Sequence, residues 1–425
     1  MKIGGTTKAI IQTAAAVIAL VAITGVLAPG SMAMRPPQGE LAATKPYKPP
    51  PFISGPYASF TYTDDWMDSY DEEDSPVRGK VKAWQPASGR IGALTVGARP
   101  GTSLVKNLWG FAASGDRFVT LTVISVPPKD FTPGRNDAEL AGFDVRGREL
   151  WRIAKPATTV KDVHYFLDAN DGYAVWNAGT YDSACPVRLS DGKEFPCFAR
   201  SGASELAFSP RAEGVPRFVS GDRMLVGTNT APRGYGRSTL RSVDGTILWD
   251  VPIEPRSIYN DGSAYPLASL NGVAIVGYGT NELIFQDLET GAVITRAYVG
   301  KGSLPVDFVR SRGDGWRSRY QPFVIDYSTG LVMYGTDGYV SVFDTKTRTV
   351  LWTTPETQEA GPEMTCGSRT WIRARASLTI FQVNSRTGAI EKRDVKDEAI
   401  PRICMTGGRA LFRLANGRNV IVRVP

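Results

Sequence analysis

Short runs of alternating or uniformly apolar residues, each closed by a polar turn carrying Gly, Asp or Asn, fill this chain from about residue 79 onward. Such runs predict β-strands joined by tight turns, and no amphipathic helix of ordinary length stands out between them. The clearest unit is Gly330-Leu331-Val332-Met333-Tyr334-Gly335, a turn at Thr336-Asp337-Gly338, and the run Tyr339-Val340-Ser341-Val342-Phe343-Asp344; a second turn then leads to Thr349-Val350-Leu351-Trp352. Asp-Gly between β-rich runs marks a hairpin, because its turn needs φ > 0, where glycine meets no steric cost.

One phrase inside that unit recurs: an apolar pair, Asp or Asn, a polar turn with Gly, then an apolar stretch often closed by Trp. Its copies run from Asp144 through Gly147 to Trp151, from Asp244 and Gly245 to Trp249, from Asp287 to Gly291, from Asp344 to Trp352, and from Asn384 to Gly388. Weaker copies sit at Ser190-Asp191-Gly192, Gln85 to Gly89 and Ala415-Asn416-Gly417. Self-similarity at a period of roughly 40–50 residues is the mark of a repeat array.

Each unit is a three- or four-stranded antiparallel meander, which alone would leave an apolar face and two edges in water. Radial stacking buries the faces and leaves only short edges, so the expected fold is an all-β propeller. The recurring Asp or Asn can cap its own turn through its side chain. The recurring Trp offers a large apolar ring with an N–H, suited to pinning one blade to the next. Six full units fall between about residues 110 and 400. The last runs, Arg409–Leu414 and Asn419–Arg423, lack a following strand, which Lys80–Trp84 and Arg90–Leu94 could supply. That closure gives seven blades; eight result if both end segments form blades of their own.

The N-terminal part breaks this pattern. Residues 9–34 carry no charge, and the apolar heart from Ala9 to Ala28, about 20 residues, is long enough to span a bilayer. Lys2 and Lys8 precede it, which predicts a cytoplasmic N-terminus and a single transmembrane helix over residues 1–34 with its tip. Ser31-Met32-Ala33 also offers the small residues of a signal-peptide cleavage site, although signal cores usually run about 7–15 residues. Either route places the remainder outside the cytoplasm. Residues 35–78 read as a linker, first Pro-rich and then acidic over Asp64–Asp74, and residues 79–425 as the propeller. The linker side, residues 1–78, is net −2 and the propeller net +9, so the acidic strip is expected to fold back onto the propeller or to compete with an acidic partner for it.

The net charge of +7 and pI near 9.1 come from mixed signs, not a basic stripe, and give no nucleic-acid signature. Four cysteines outside the cytosol predict two disulfides among Cys185, Cys197, Cys366 and Cys404, and no Cys-x-x-Cys spacing indicates a metal. The single histidine, His164, removes His-based metal sites and catalytic triads from contention and reads as an ordinary strand residue. The candidate partner-binding segment is an insertion that places Arg310, Arg312, Trp316, Arg317, Arg319 and Tyr320 together, residue types enriched at binding hot spots. A second basic, Gly-rich run, Ala231–Arg237, lacks the Lys-Ser/Thr ending of a nucleotide phosphate loop.

The phrase from Asp144 to Trp151, with its counterparts at Asp244–Trp249, Asp287–Gly291 and Asp344–Trp352, resembles the repeat of the PQQ-like (quinoprotein-type) propeller superfamily. The resemblance covers about three-quarters of the chain, as a repeat only. Some members of that superfamily are PQQ-dependent dehydrogenases, while others are non-catalytic scaffolds such as the BamB-like assembly factors. The dehydrogenases carry adjacent cysteines and calcium ligands at the cofactor; this chain has no adjacent cysteines, and no cofactor, metal or catalytic residue carries over. The resemblance therefore implies a binding scaffold; together with the anchor read at residues 9–34, the expectation is a membrane-held propeller that binds an envelope protein or acidic cell-wall partner. The alternative is a quinone-dependent oxidoreductase, or a hydrolase, using the propeller channel.

Overall fold

The computed structural model describes the chain from residue 61 to residue 424, with interruptions of which the longest are 158–166, 200–215, 254–263 and 300–322. Every regular element among the described residues is a β-strand, and the strands form eight antiparallel sheets in chain order. The first holds β1 (Thr61–Thr63), β2 (Trp66–Asp71), β3 (Arg78–Gln85) and β4 (Arg90–Gly97). The second holds β5 (Ser103–Ser114), β6 (Arg117–Val126), β7 (Arg135–Asp144) and β8 (Glu149–Pro156). The third holds β9 (Leu167–Ala169), β10 (Tyr173–Trp176), β11 (Ser183–Arg188) and β12 (Phe198–Ala199). The fourth holds β13 (Arg217–Ser220), β14 (Arg223–Thr228), β15 (Gly236–Ser242) and β16 (Ile247–Ile253). In the fifth are β17 (Ala264–Leu270), β18 (Val273–Tyr278), β19 (Glu282–Asp287) and β20 (Val293–Tyr298). In the sixth are β21 (Phe323–Asp326), β22 (Leu331–Gly335), β23 (Val340–Asp344) and β24 (Thr349–Thr353). The seventh holds β25 (Ala360–Cys366), β26 (Arg369–Ala374), β27 (Ile380–Asn384) and β28 (Ile390–Lys392), and the eighth only β29 (Ala399–Met405), β30 (Arg409–Leu414) and β31 (Asn419–Arg423).

Burial explains why such sheets do not stand alone. Second and third strands such as β18, β22 and β23 are buried on both faces, whereas the fourth strands β8, β16 and β24 are partly exposed along their length. Each apolar cluster lies between two successive sheets. Phe285 of β19 packs on Phe343 of β23 with ring centroids 4.3 Å apart, and Trp371 of β26 meets Phe412 of β30 at 5.4 Å. First strands neighbour one another in turn, β5 beside β9, β9 beside β13, β13 beside β17, and β21 beside β25 beside β29. Sheets that face their predecessor and successor around a shared set of first strands make a β-propeller.

The meander gives the propeller two unlike faces. The first-to-second and third-to-fourth strand turns share one face and are tight; Asn271 and Gly272, both at positive φ, join β17 to β18. The second-to-third connections and the links between sheets share the other face, called here the loop face.

Strand pairing begins at Thr61, upstream of residue 79. Asp71 and Ser69 of the acidic strip thereby sit in register with Lys80 and Lys82. The runs at Lys80–Trp84 and Arg90–Leu94 pair with each other and with β2, not with β31, so the eighth sheet keeps three strands among the described residues.

Candidate functional site

The recurring polar residues of the repeat are used on the turn face. Asp144 Oδ1 accepts the backbone N–H groups of Arg146 and Arg148, Asp287 Oδ1 those of Glu289 and Thr290, and Asn384 Oδ1 those of Arg386 and Thr387. Asp244 takes Thr246 N–H and Asp344 takes Lys346 N–H in the same way. Asp144 titrates below the usual range mainly through Arg148 N–H, Asp287 mainly through the Thr290 hydroxyl, and Asp244 mainly through Ser242.

The turn face also locks sheet to sheet. Trp151, Trp249 and Trp352 donate their indole N–H to the carbonyls of Leu189, Leu288 and Ser385 in the next sheet, each at 2.8 Å. Gly192, Gly291 and Gly388, all at positive φ, lie against those rings, where a Cβ would come within 3 Å. Outer oxygens of the caps reach guanidinium groups of the following sheet: Asp287 Oδ2 to Arg348 at 2.7 Å and Asp344 Oδ2 to Arg386 at 3.0 Å. Gly147, at φ +80, packs instead on Ala93 and Leu94 of the first sheet, and Gly245 has open space beside it.

The loop face differs in that one of its elements stands clear of the body. Counted from the equivalent turn-face pair, the β6–β7 ladder runs from Arg117↔Asp144 to Val126↔Arg135, while β18–β19 stops at Tyr278↔Glu282 and β22–β23 at Gly335↔Val340. The second sheet's hairpin is longer by four to five residue pairs, roughly 13–16 Å at ~3.3 Å per residue. Neighbouring strands support it only as far as Ser125 and Asn136. Beyond them Pro127–Arg135 is exposed throughout. Lys129 and Thr132 exchange both backbone hydrogen bonds, at 3.1 and 2.9 Å, across a two-residue turn of Asp130 and Phe131. Asp130 takes φ +52, and Phe131 is fully exposed at the tip.

A charge cluster holds the root of this prong. Asp137 and Glu139 on β7 are buried, and three arginines converge on them. Arg135 and Arg99 reach Asp137 at 2.8 and 3.1 Å; Arg99 and Arg152 reach Glu139 at 2.5 and 2.6 Å. Arg152 also holds Glu149 at 2.6 Å. Hydrogen bonding to Glu149 raises the Arg152 pKa, and hydrogen bonding to Asp137 raises that of Arg135. The signal for it in the sequence is the alternation Arg135–Asp137–Glu139 in a run otherwise destined for burial.

Arg310, Arg312, Trp316, Arg317, Arg319 and Tyr320 lie outside the described residues, as do His164, Arg233 and the Thr336–Gly338 turn. Among the described residues, β20 ends and β21 begins at the loop face. Cys185 bonds Cys197 within the third sheet, and Cys366 bonds Cys404 between β25 and β29. Asp326 lies beside the second bridge, its ligand atom within 4.8 Å of both sulfurs. Its oxygens already accept from Ser328, Thr329 and Gly367 N–H, and the sulfurs are bonded to each other, so this is a junction of three sheets.

No family profile matches the chain, and no curated protein sequence does. Among solved structures it is similar to BamB from Moraxella catarrhalis, at 14% identity and TM-score 0.43 over 86% of this chain and 93% of that one. It is similar to a europium-containing methanol dehydrogenase at 10% identity and TM-score 0.43 over 87% and 83%, and to the β-propeller domain of Myceliophteria thermophila Cps50 (Swd1) at 11% and 0.41 over 88% and 98%. The fold is a β-propeller, at low sequence identity to all three.

Proposed function

We propose that this chain is a membrane-anchored β-propeller of eight blades, of the PQQ-like repeat type, that acts outside the cytoplasm as a non-catalytic scaffold. Its partner would be a protein or acidic component of the cell envelope, bound at the loop face. The division of labour between the faces carries this reading: on the turn face Asp, Asn, Trp and Gly of the repeat are spent on caps and joints, while the strand ends separated by the longest stretches of sequence lie opposite. Loops on a rigid scaffold are where binding residues concentrate. The four arginines and two aromatics of the sequence 310–320 suit an acidic surface. Two disulfides support an oxidising compartment, and the uncharged segment 9–34 supports the anchor.

The test is in-membrane cross-linking of the full chain followed by mass spectrometry, beside a variant with Arg312→Ala, Arg317→Ala and Arg319→Ala. An abundant envelope partner that the variant loses, and that raised salt weakens in the wild type, is the expected result. A partner retained by the variant moves the site elsewhere. No partner at any salt concentration overturns the scaffold reading.

A further inference from the structure

The prong of the second sheet poses a chemical problem that the scaffold reading leaves open: a fully exposed Phe131 on a tip built to hold it in water. The two-residue turn is closed by both Lys129–Thr132 backbone bonds, Pro127, Pro128 and Pro133 restrict the flanks, and Asp130 accepts a left-handed φ of +52. The Asp137–Glu139 cluster fixes the root. A tip this constrained gives up little conformational entropy when its one aromatic is buried elsewhere.

The topology says what lies opposite. A first strand begins at the loop face, since that is where links between sheets arrive; β1 begins at Thr61, so the N-terminal chain enters the propeller on the face that carries the prong. The 26 residues from 35 to 60 span at most about 90 Å fully extended. A segment embedded over residues 9–28 would keep that face near its own bilayer at a high effective concentration. The propeller's net charge of +9 favours an anionic surface. A single aromatic is too little to recruit a free protein to a membrane, but it is enough to orient one already tethered there.

We propose that the loop face is the membrane-proximal face and that Phe131 inserts into the interfacial zone of the bilayer carrying the N-terminal segment. This rests on the reading of residues 9–34 as an uncleaved anchor. Phe131 is the inserted group, Lys129 meets lipid phosphates, and Asp130, beside them, limits the depth to the headgroup boundary.

The experiment uses the full chain in phosphatidylcholine–phosphatidylglycerol vesicles, with a nitroxide on Thr132→Cys as the only free thiol among the described cysteines. Spin-label accessibility to oxygen and to a water-soluble nickel chelate reads depth, with the same label on Asp222→Cys at the turn face as an aqueous control. The expected result is a label at 132 in the interface and one at 222 in water, with Phe131→Ser lowering the inserted fraction roughly ten-fold or more. Vesicle flotation after a carbonate wash separates the two failures. A protein that washes off overturns the anchor and this inference together. One that floats while label 132 stays aqueous overturns the insertion alone, as does a label immobilised in native envelope membranes but aqueous in pure lipid, which would identify a protein pocket instead.

Discussion

Trp352 and Ser385 form a joint between two blades: the indole N–H of one donates to the carbonyl of the other at 2.8 Å, and the ring lies against Gly388 three residues on. Ser385 N–H meanwhile donates to the carbonyl of Ser368 within its own blade. One peptide position therefore satisfies a bond inside its sheet and a bond to the sheet before it. Leu288 repeats the arrangement with Gly272 and Trp249, and Leu189 with Gly172 and Trp151. The spacing of the repeat is set by this coupling, because Trp and the Asp-to-Gly turn are two halves of one contact made by successive copies.

Replacing the glycine of the joint should cost more than replacing a glycine with the same backbone demand elsewhere. Gly245→Ala meets only the left-handed φ of +93, with open space around it, and should lose about 1–2 kcal/mol. Gly388→Ala meets φ +70 and a ring 2.9 Å from the new Cβ, and overpacking should add about 1–3 kcal/mol. Urea unfolding of both variants checks the difference; equal losses would mean that the indole yields freely.

The Trp N–H itself is separable from the ring. Trp352→Phe keeps an aromatic against Gly388 but leaves the Ser385 carbonyl without its partner, for an expected loss of about 0.5–1.5 kcal/mol beyond the packing change. Trp352→Ala should cost about 3–5 kcal/mol by losing both. The ratio of the two, measured as shifts in urea midpoint, reports how the joint divides between hydrogen bond and packing.

The blade pattern was legible because it lies within single repeats: Asp287 and Gly291 sit four residues apart and fix one turn, and each apolar run maps to one buried strand. Cys366 and Cys404 close across a sheet boundary, which an even cysteine count suggests without specifying. Less legible were the ends. Trp66–Asp71 reads as acidic linker by charge and pairs as strand with β3, since composition does not say which neighbour a segment finds. The prong was missed because Phe131 looks like any loop aromatic until the unusual length of the β6–β7 ladder is known. The clustering of Arg99 with Arg152 on Glu139 depends on contacts 40 and 13 residues apart, which no local pattern records.

The turn caps predict a direction for acid stability. Asp191 is held at about 2, first by Arg188 and then by Lys193 N–H, below the usual value of 3.8. Asp144, Asp244 and Asp287 are lowered as well. A carboxylate whose folded pKa is depressed contributes stability above its unfolded pKa, and loses that contribution as pH falls through the folded one. The urea midpoint should therefore fall as pH drops from about 4 towards 2, and Asp191→Asn, whose amide oxygen can still accept Lys193 N–H, should flatten the fall. Titration of the Asp191 carboxyl by NMR gives the site directly; a midpoint near 4 would remove Arg188 as its partner.

Glu139 and Glu289 offer two ion pairs in opposite surroundings. Glu289 is 71% exposed and reaches Arg223 at 2.9 Å, so its charge is screened by water, and Glu289→Gln should change stability by less than about 1 kcal/mol. Glu139 is fully buried between Arg99 and Arg152, and Glu139→Gln turns one acceptor oxygen into an amide that faces a guanidinium. Breaking a buried pair costs about 3–5 kcal/mol; partial exposure of both arginines brings the expectation here to about 2–3 kcal/mol. The loss should also be felt outward. With the root of the β6–β7 hairpin loosened, the amides of Lys129 and Thr132 should exchange faster in Glu139→Gln and unchanged in Glu289→Gln. Equal stability losses with unchanged tip exchange would show that the cluster is solvated and that the prong stands on its ladder alone.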